Sequence, residues 1–237
     1  MYADIVSGTE PLIFSTIEEA RNMLEHGRYL FNRGDLLHAT TDLLQETDCL
    51  MSSFKHALHE FLNTNGHSFT PKDTIAVAVL QLHALHMRIS LPGHPRFAGS
   101  DNLLSQMAEM VRLGEQIVNF ISVLDSPPTS FCMGLGFVIP IYSVASACQC
   151  PVIRQQAIAL LRRTSRQEGL WDSQLVATTC ERIIAIENSK GVKLTGICDL
   201  QTSSSILQLD ATGGRLQYVL EDEKSGPTAV TEKVFDY

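Results

Sequence analysis

Apolar residues recur every three or four positions along most of the chain, which is the spacing of one face of an α-helix. About seven such segments follow one another before residue 190, separated by proline, glycine and short polar stretches. The first is expected to begin with a capping box of Ser15 and Glu18. Thr70-Pro71 opens the third, and Asp172-Ser173 caps the last. The pattern predicts an all-α fold of about seven antiparallel-packed helices in one domain.

The apolar stripe of each predicted helix indicates which residues face the core. The residues expected to face inward include Ala20, Leu24, Leu50, Phe54, Phe61, Ile75, Leu82, Leu85, Met107, Ile158, Leu161, Cys180 and Ile183.

The pattern changes after Gly191. Apolar and polar residues alternate over 206–209 and 215–219, which is strand periodicity, and residues 210–214 between them have turn chemistry. The sequence therefore predicts a short C-terminal β-hairpin that packs on the helices. Few apolar residues follow Ser225, so we expect a loose tail. These patterns divide the chain into a helical domain (1–190), a hairpin (191–224) and a tail (225–237).

Composition narrows the functional classes. The chain has 237 residues, of which 44% are hydrophobic and 19% charged, so it can bury a core. No stretch approaches the roughly 18 apolar residues of a membrane span, and the first residues do not resemble a secretory signal. The net charge is −8. DNA binding depends on Lys and Arg neutralising phosphates, so nucleic acid is not an expected direct partner. A membrane is not expected either, because the sequence has no apolar span of sufficient length.

The cysteine pattern does not predict a metal cluster or a disulfide framework. Six cysteines are present, at positions 49, 132, 148, 150, 180 and 198, and Cys148-Gln149-Cys150 is the only close pair. A zinc cluster needs several close pairs, and disulfide frameworks belong to small secreted chains. Most of these residues have apolar neighbours in sequence, so buried and reduced thiols are predicted.

Four histidines have helical spacing, in one pair on the second predicted helix and one on the third: His56, His59, His83 and His86. Two adjacent antiparallel helices could present all four to one metal ion. Metal sites in helix bundles usually include carboxylates, however, and Glu60 is the only one beside these pairs. The interpretation favoured by the sequence is hydrogen-bonded, partly buried histidines, and no metal is assigned.

No catalytic motif is recognisable. A nucleophile elbow and a phosphate-binding loop are both missing from the sequence. Gly134-Leu135-Gly136 is too short to be a nucleotide signature and is interpreted as a flexible approach to a helix. Carboxylates are scattered over polar faces, and nothing singles one out as a general acid or base. No catalytic residue is assigned, and the chain is not expected to be an enzyme.

The densest basic run consists of Arg154, Arg162, Arg163 and Arg166. We interpret it as a solvated helix face. A contact surface for an acidic partner or a second domain is the alternative.

Residues 137–172 form an ordered series of motifs. An apolar helix over 137–142 is followed by the turn Cys148-Gln149-Cys150-Pro151-Val152-Ile153-Arg154, an Ala-Ile-x-Leu-Leu helix, and Glu-Gly-Leu-Trp-Asp at 168–172. This series resembles the C-terminal helical, regulatory region of fungal zinc-cluster (two-zinc, six-cysteine) transcription factors. The residues that carry the resemblance are Pro140, Tyr142, Cys148, Pro151, Arg154, Glu168, Gly169, Leu170, Trp171 and Asp172.

On their chemistry alone the motif residues are expected to be structural. Trp171 is the only tryptophan and predicts a core anchor. Asp172 precedes a helix and predicts a cap. Glu168 is expected to pair with a neighbouring arginine.

The resemblance implies a role in regulating transcription, for example of a secondary-metabolite or nutrient pathway. Members of this family read DNA through an N-terminal zinc cluster, and the closely spaced cysteines of that cluster are missing from this sequence. The chain therefore looks like the regulatory half alone, either as a fragment or as a natural short form. Zinc is expected only if an upstream cluster exists. A nuclear location is implied, or a cytoplasmic one if the short form is native.

The resemblance also implies partners: an attached or separate DNA-binding domain, another protein, or a small effector held in an apolar pocket between helices. A homodimer remains open. Two other functions are compatible with the residues. One is a helical enzyme of secondary metabolism, a hydrolase or a cyclase. The other is a standalone interaction protein that modulates a full-length factor.

Overall fold

The computed structural model describes residues 11–33, 41–90, 101–122, 131–132, 135–169, 171–190, 205–210, 213–222 and 226–236. Seven α-helices lie within these ranges: α1 (Ile17–Arg33), α2 (Thr41–Asn65), α3 (Pro71–Ser90), α4 (Asp101–Ser122), α5 (Val138–Ala147), α6 (Pro151–Arg163) and α7 (Ser173–Lys190). The described strands are β1 (Phe131–Cys132), β2 (Gln167–Glu168), β3 (Trp171–Asp172), β4 (Ser205–Asp210), β5 (Gly213–Asp222) and β6 (Gly226–Asp236). The all-α class is confirmed, and so is the number of helices expected in this part of the chain. None of the described helices has the length and apolar character needed to cross a membrane.

The chain divides into two compact units. The first comprises Met1–Arg96 and Arg112–Pro128, and the second comprises Phe97–Val111 and Thr129–Tyr237. The second unit therefore contains α5, α6 and α7 together with the C-terminal strands. The domain boundary that the sequence suggests at residue 190 stays a prediction.

Helices α1, α2 and α3 of the first unit pack through the stripes expected from the sequence. Ala20, Leu24 and Leu50 are buried. The ring of Phe54 meets that of Phe14 edge-on, with centroids 5.4 Å apart. The expected stripe of α3 is only partly correct, because Leu82 is buried while Ile75 is only half-buried.

The capping box of α1 lies one residue later than the sequence predicted. The Thr16 hydroxyl accepts a hydrogen bond from the Glu19 backbone N–H (3.1 Å), and a Glu19 carboxylate oxygen accepts one from the Ser15 N–H (2.7 Å). Thr16 and Glu19 thus replace Ser15 and Glu18 as the capping pair. Both pairs have the same spacing, so the pattern alone could not distinguish them.

The start of α3 agrees with the prediction. Pro71 is the first helical residue, and the Thr70 hydroxyl accepts a hydrogen bond from the Asp73 N–H (3.2 Å). The Asp73 carboxylate in turn accepts from the Thr70 hydroxyl (2.7 Å) and from its N–H (2.9 Å). This is a reciprocal cap with aspartate in place of glutamate.

We expect this cap to weaken in acid. Hydrogen bonds from the Thr70 hydroxyl and N–H hold the pKa of Asp73 below its ordinary value of 3.8. A lowered pKa in the folded state contributes stability above the unfolded pKa, and that contribution is lost as pH falls through the folded value. Thermal unfolding followed by circular dichroism should show Asp73→Asn melting below the parent at pH 7, with the gap closing below about pH 4. A gap independent of pH would contradict this origin.

Helices α5, α6 and α7 form the core of the second unit. Eight of the ten residues of α5 are buried, which matches its continuous apolar sequence. Helices α6 and α7 are amphipathic, with Ile158 and Leu161 buried on the first and Cys180 and Ile183 on the second.

The predicted hairpin is present, but the loose tail is not. Strands β4 and β5 pair antiparallel, with Leu207 opposite Leu216. Strand β6 then pairs along β5 from Asp222↔Gly226 to Gly213↔Asp236, so the C-terminal sheet has three strands in the order β4-β5-β6. The prediction of a tail from residue 225 was wrong because it counted apolar anchors. Threonine and valine favour strands, and β5 supplies the backbone partners.

Candidate functional site

The described residues of the Glu-Gly-Leu-Trp-Asp block include the end of strand β2 and all of strand β3, between α6 and α7. Glu168 on β2 lies opposite Trp171 on β3 in the antiparallel pair. Gly169 has φ +60°, a left-handed conformation that favours glycine. Leu170 lies outside the described residues.

The Glu168 carboxylate caps the N-terminus of α5. Its Oε1 accepts a hydrogen bond from the Phe137 N–H (3.0 Å), and its Oε2 accepts one from the Val138 N–H (2.9 Å). The first backbone N–H groups of a helix lack partners within the helix and carry partial positive charge, so a carboxylate there is favourable. Glu168 is only 7% exposed. Glu168 therefore caps the N-terminus of α5 although it lies 30 positions from Val138 in the sequence.

Gly136 makes room for this carboxylate. A Cβ atom built on Gly136 would lie 1.9 Å from the Glu168 carboxyl carbon and about as close to both oxygens. The contact excludes any side chain at this position while the cap is in place. The sequence analysis interpreted Gly134-Leu135-Gly136 as a flexible approach to a helix. It missed the steric requirement for Gly136, because that requirement comes from Glu168, which is distant in sequence.

Arg166 neutralises the buried carboxylate. Its Nε donates a hydrogen bond to Glu168 Oε1 at 2.8 Å, and the side chain is 15% exposed. Its guanidinium also lies 6.0 Å from the centroid of the Phe137 ring. The expectation that Glu168 pairs with a nearby arginine is correct, and the arginine is Arg166.

The last two motif residues belong to β3 and the start of α7. The Trp171 ring lies 5.5 Å from that of Tyr142 on α5 and is half-buried, so it covers the edge of the core. Asp172 Oδ1 accepts hydrogen bonds from the Gln174 N–H (2.9 Å) and the Leu175 N–H (3.0 Å). Asp172 is thus the N-cap expected from the sequence.

Arg154 joins all three helices. From the first turn of α6, its Nε donates to the Ala145 carbonyl (2.8 Å) and an Nη donates to the Ser146 carbonyl (3.1 Å), both in the last turn of α5. The other Nη lies 2.5 Å from Oε2 of Glu187 on α7. Both side chains are buried, with 7% and 4% exposure.

The placement of Arg154 corrects the view of the arginine run as a solvated face. A helix of thirteen residues buries one face, and Arg154 shares that face with Ala157 and Leu161. Arg162 and Arg163 do lie on the exposed side. The sequence analysis also missed Glu187, although a signal was present. Glu187 continues the buried stripe of Cys180 and Ile183 at helical spacing.

Pro140, Cys148 and Pro151 shape the connection from α5 to α6. Pro140 is buried in the first turn of α5, and Pro151 is the first residue of α6, where a missing N–H costs nothing. Cys148 ends α5 and its thiol donates to the Cys150 carbonyl at 3.8 Å. Burial raises the pKa of the Cys148 thiol. The group therefore stays protonated at neutral pH, which makes it a poor nucleophile.

Four of the cysteines are free thiols in the described part of the chain, but not all four are buried. Cys148 and Cys180 are buried, Cys150 is half-buried and Cys49 is exposed. The prediction of burial is wrong for Cys49, which lies on the outer side of α2.

The four histidines are distributed over different environments. His56 and His59 are exposed on α2, whereas His83 is buried and His86 half-buried on α3. The rings of His83 and His86 meet edge-on with centroids 6.5 Å apart. Among the side chains that the structure describes, no three His, Cys, Asp or Glu residues come together in a way that could hold a metal ion. The expectation that the chain carries no cofactor of its own stays a prediction.

The charged motif residues thus act at the helix ends of the second unit. Two carboxylates and two arginines, from Glu168, Asp172, Arg154 and Arg166, each bind a helix terminus or one another. These charged groups already make hydrogen bonds within the fold, and those bonds hold them in place. The arrangement fixes α5, α6 and α7 relative to one another.

Comparison with known proteins gives one informative match. No protein-family model matches the chain, and no solved structure matches it. A stretch of 50 residues, 21% of this chain, is 38% identical to the aspercryptin biosynthesis cluster-specific transcription regulator atnN of Emericella nidulans. The matched stretch spans 8% of the length of that regulator. Part of the chain is therefore similar to a fungal transcription regulator.

Proposed function

We propose that this chain is a transcription-regulatory domain of the kind attached to fungal zinc-cluster factors, and that it does not itself read DNA. The similarity to the atnN regulator is the observation that carries the proposal. In this role the chain would transmit the state of a bound protein or small effector to a DNA-binding domain, attached or separate. Its place of action would be the nucleus, and its targets would include genes of secondary metabolism.

The chemistry of the second unit supports a binding role over a catalytic one. The charged groups of the Glu-Gly-Leu-Trp-Asp block are bound to backbone groups or to an arginine. The buried thiol of Cys148 has a raised pKa. A general acid, base or nucleophile must be available to a substrate, and these groups are not. The proposal therefore assigns no catalytic step to this chain.

The proposal can be tested by fusing the chain to an unrelated DNA-binding domain in a fungal reporter strain. We expect reporter output to differ from that of the DNA-binding domain alone. Arg154→Met, which removes the buried link between α6 and α7, should abolish the difference. Arg21→Gln makes the same change of charge at an exposed pair with Glu18 and should preserve it. Equal output from the fusion and the bare DNA-binding domain would contradict a regulatory role.

A second expected result concerns DNA itself. With a net charge of −8, the isolated chain should bind random duplex DNA no more tightly than about 10⁻⁴ M at physiological salt. Fluorescence anisotropy of a labelled duplex measures this, with a basic DNA-binding domain as positive control. A submicromolar dissociation constant that rises steeply with salt would show that the chain binds DNA directly.

A further inference from the structure

The loop between α6 and β2 is clamped on both sides of Ser165. The Arg166 N–H donates to the Ser173 hydroxyl (3.2 Å), and the Ser173 N–H donates to the Arg166 carbonyl (3.0 Å). The Ser173 hydroxyl itself donates to the Thr164 carbonyl. Ser173 is completely buried. The backbone before and after Ser165 is therefore held against the fold, in a loop rather than in a helix or strand.

Ser165 itself is exposed and has an available hydroxyl. No hydrogen bond joins its side chain to any residue that the structure describes. The neighbouring Thr164 is different, because it is half-buried and its hydroxyl donates to the carbonyls of Leu160 and Leu161, each at 3.2 Å. Of the two adjacent hydroxyls, only that of Ser165 can be approached by an enzyme without breaking a hydrogen bond.

Two arginines precede this serine. In Arg162-Arg163-Thr164-Ser165 the basic residues stand three and two positions before the hydroxyl, and no other serine or threonine in the sequence has basic residues at both positions. Kinases choose substrates through the charge pattern around the acceptor. An acidic residue, Glu168, stands three positions after Ser165, but its carboxylate is buried and bound in the α5 cap. The accessible charge is therefore basic.

From the free hydroxyl and the exposed basic charge we propose that Ser165 is a phosphorylation site for an arginine-directed serine/threonine kinase. In this step the Ser165 Oγ attacks the γ-phosphorus of Mg²⁺-ATP. The bond from that phosphorus to the β–γ bridging oxygen breaks, ADP leaves, and the hydroxyl proton passes to the kinase's catalytic aspartate. The product adds a charge of about −1.5 to −2 beside Arg166. The proposal does not depend on the transcriptional role.

The contacts of Arg162 compete with kinase recognition. Arg162 donates to Glu181 on α7 (2.5 and 3.1 Å) and to the Thr178 hydroxyl (2.8 Å). About a third of the Arg162 side chain remains exposed, at 36%. Exposed ion pairs are weak, so a kinase with an acidic pocket can draw Arg162 away from Glu181. Glu181→Gln removes the ion pair but leaves the hydrogen bonds of Arg162 to Thr178 and to the Gln174 carbonyl. Because Arg162 is then held less firmly, the rate of phosphorylation should rise.

The test uses the intact folded chain, Mg²⁺-ATP and the catalytic subunit of an arginine-directed kinase, with sites located by mass spectrometry. We expect one phosphate on Ser165, and at least about a tenfold loss of incorporation in Ser165→Ala. Ser165→Ala should fold normally, because the hydroxyl has no partner among the described residues. Ser189→Ala removes another exposed serine, one without preceding arginines, and should leave incorporation unchanged.

Three results would overturn the proposal. The first is no incorporation into the folded parent chain under conditions that phosphorylate a peptide of residues 158–170. The second is equal incorporation in Ser165→Ala and the parent. The third is faster phosphorylation of Ser165 by a kinase that selects acidic substrates, which would mean that Glu168 and not the arginines directs the enzyme. A faster rate for Glu181→Gln supports the role of Arg162.

Discussion

Replacing Arg154 by methionine should lower the free energy of unfolding by about 3–5 kcal/mol, because the change leaves the Glu187 carboxylate buried without its charged partner. The pair lies 2.5 Å apart and is almost fully buried. The same change removes the donors to the Ala145 and Ser146 carbonyls at the end of α5. Trp171 is the only tryptophan and contacts Tyr142 of α5. Urea unfolding followed by its fluorescence therefore reports on this unit.

Two further variants separate charge burial from loss of packing. Arg154→Met combined with Glu187→Met removes both charges and should recover at least half of the loss, since apolar replacement of a whole buried pair is often neutral. Arg162, on the same helix as Arg154, makes an exposed pair with Glu181 of α7. The cost of Arg162→Met, which breaks that pair, should stay at about 0–1 kcal/mol. If Arg154→Met cost no more than Arg162→Met, the buried pair would not be an important support of the fold.

Local sequence signals predicted the helices well. Pro71 and Asp172 illustrate why, since each acts through backbone groups only a few residues away. The continuous apolar run of α5 likewise predicts burial directly. The error at the start of α1 was a shift of one residue between two equally spaced capping pairs, which no local rule resolves.

Contacts between distant residues could not be predicted in the same way. Glu168 and Val138 are separated by 30 positions, and Arg154 and Glu187 by 33. Single-sequence reasoning sees the residue type but not the partner, so Arg154 was assigned to a solvated face. Strand β6 was missed for a related reason, because its hydrogen-bond partners lie on β5 and its own apolar content is low.

The candidate site was only partly predictable from the residues. The Glu-Gly-Leu-Trp-Asp block was recognised by resemblance, and its cap and arginine pair were anticipated from chemistry. The requirement at Gly136 was not anticipated. It follows from the position of Glu168, which is defined only once β2 and the start of α5 lie side by side. The contacts of this block explain why it is rich in charge, since its two carboxylates cap helices and one of them also binds Arg166.

Gly136→Ala should therefore destabilise the chain by about 2–4 kcal/mol, although it adds a single methyl group. The new Cβ would lie 1.9 Å from the Glu168 carboxyl carbon, so the carboxylate must leave the α5 terminus. Its departure deprives the Phe137 and Val138 N–H groups of their acceptor and also leaves Arg166 without its anion. Urea unfolding monitored by Trp171 fluorescence measures the loss.

A double-mutant cycle identifies the cause. Glu168→Ala alone should cost about as much as Gly136→Ala, since both remove the cap. In the Glu168→Ala background the added methyl group meets no carboxylate, so Gly136→Ala should cost under about 1 kcal/mol, giving a coupling energy of about 1–4 kcal/mol. Gly66→Ala is the matched control. A Cβ there has no neighbour within 4 Å, and the change should be neutral or stabilising by about 0.4–1 kcal/mol. Additive costs for Gly136→Ala and Glu168→Ala would show that the glycine is needed for its backbone alone, and that the carboxylate does not require the space beside it.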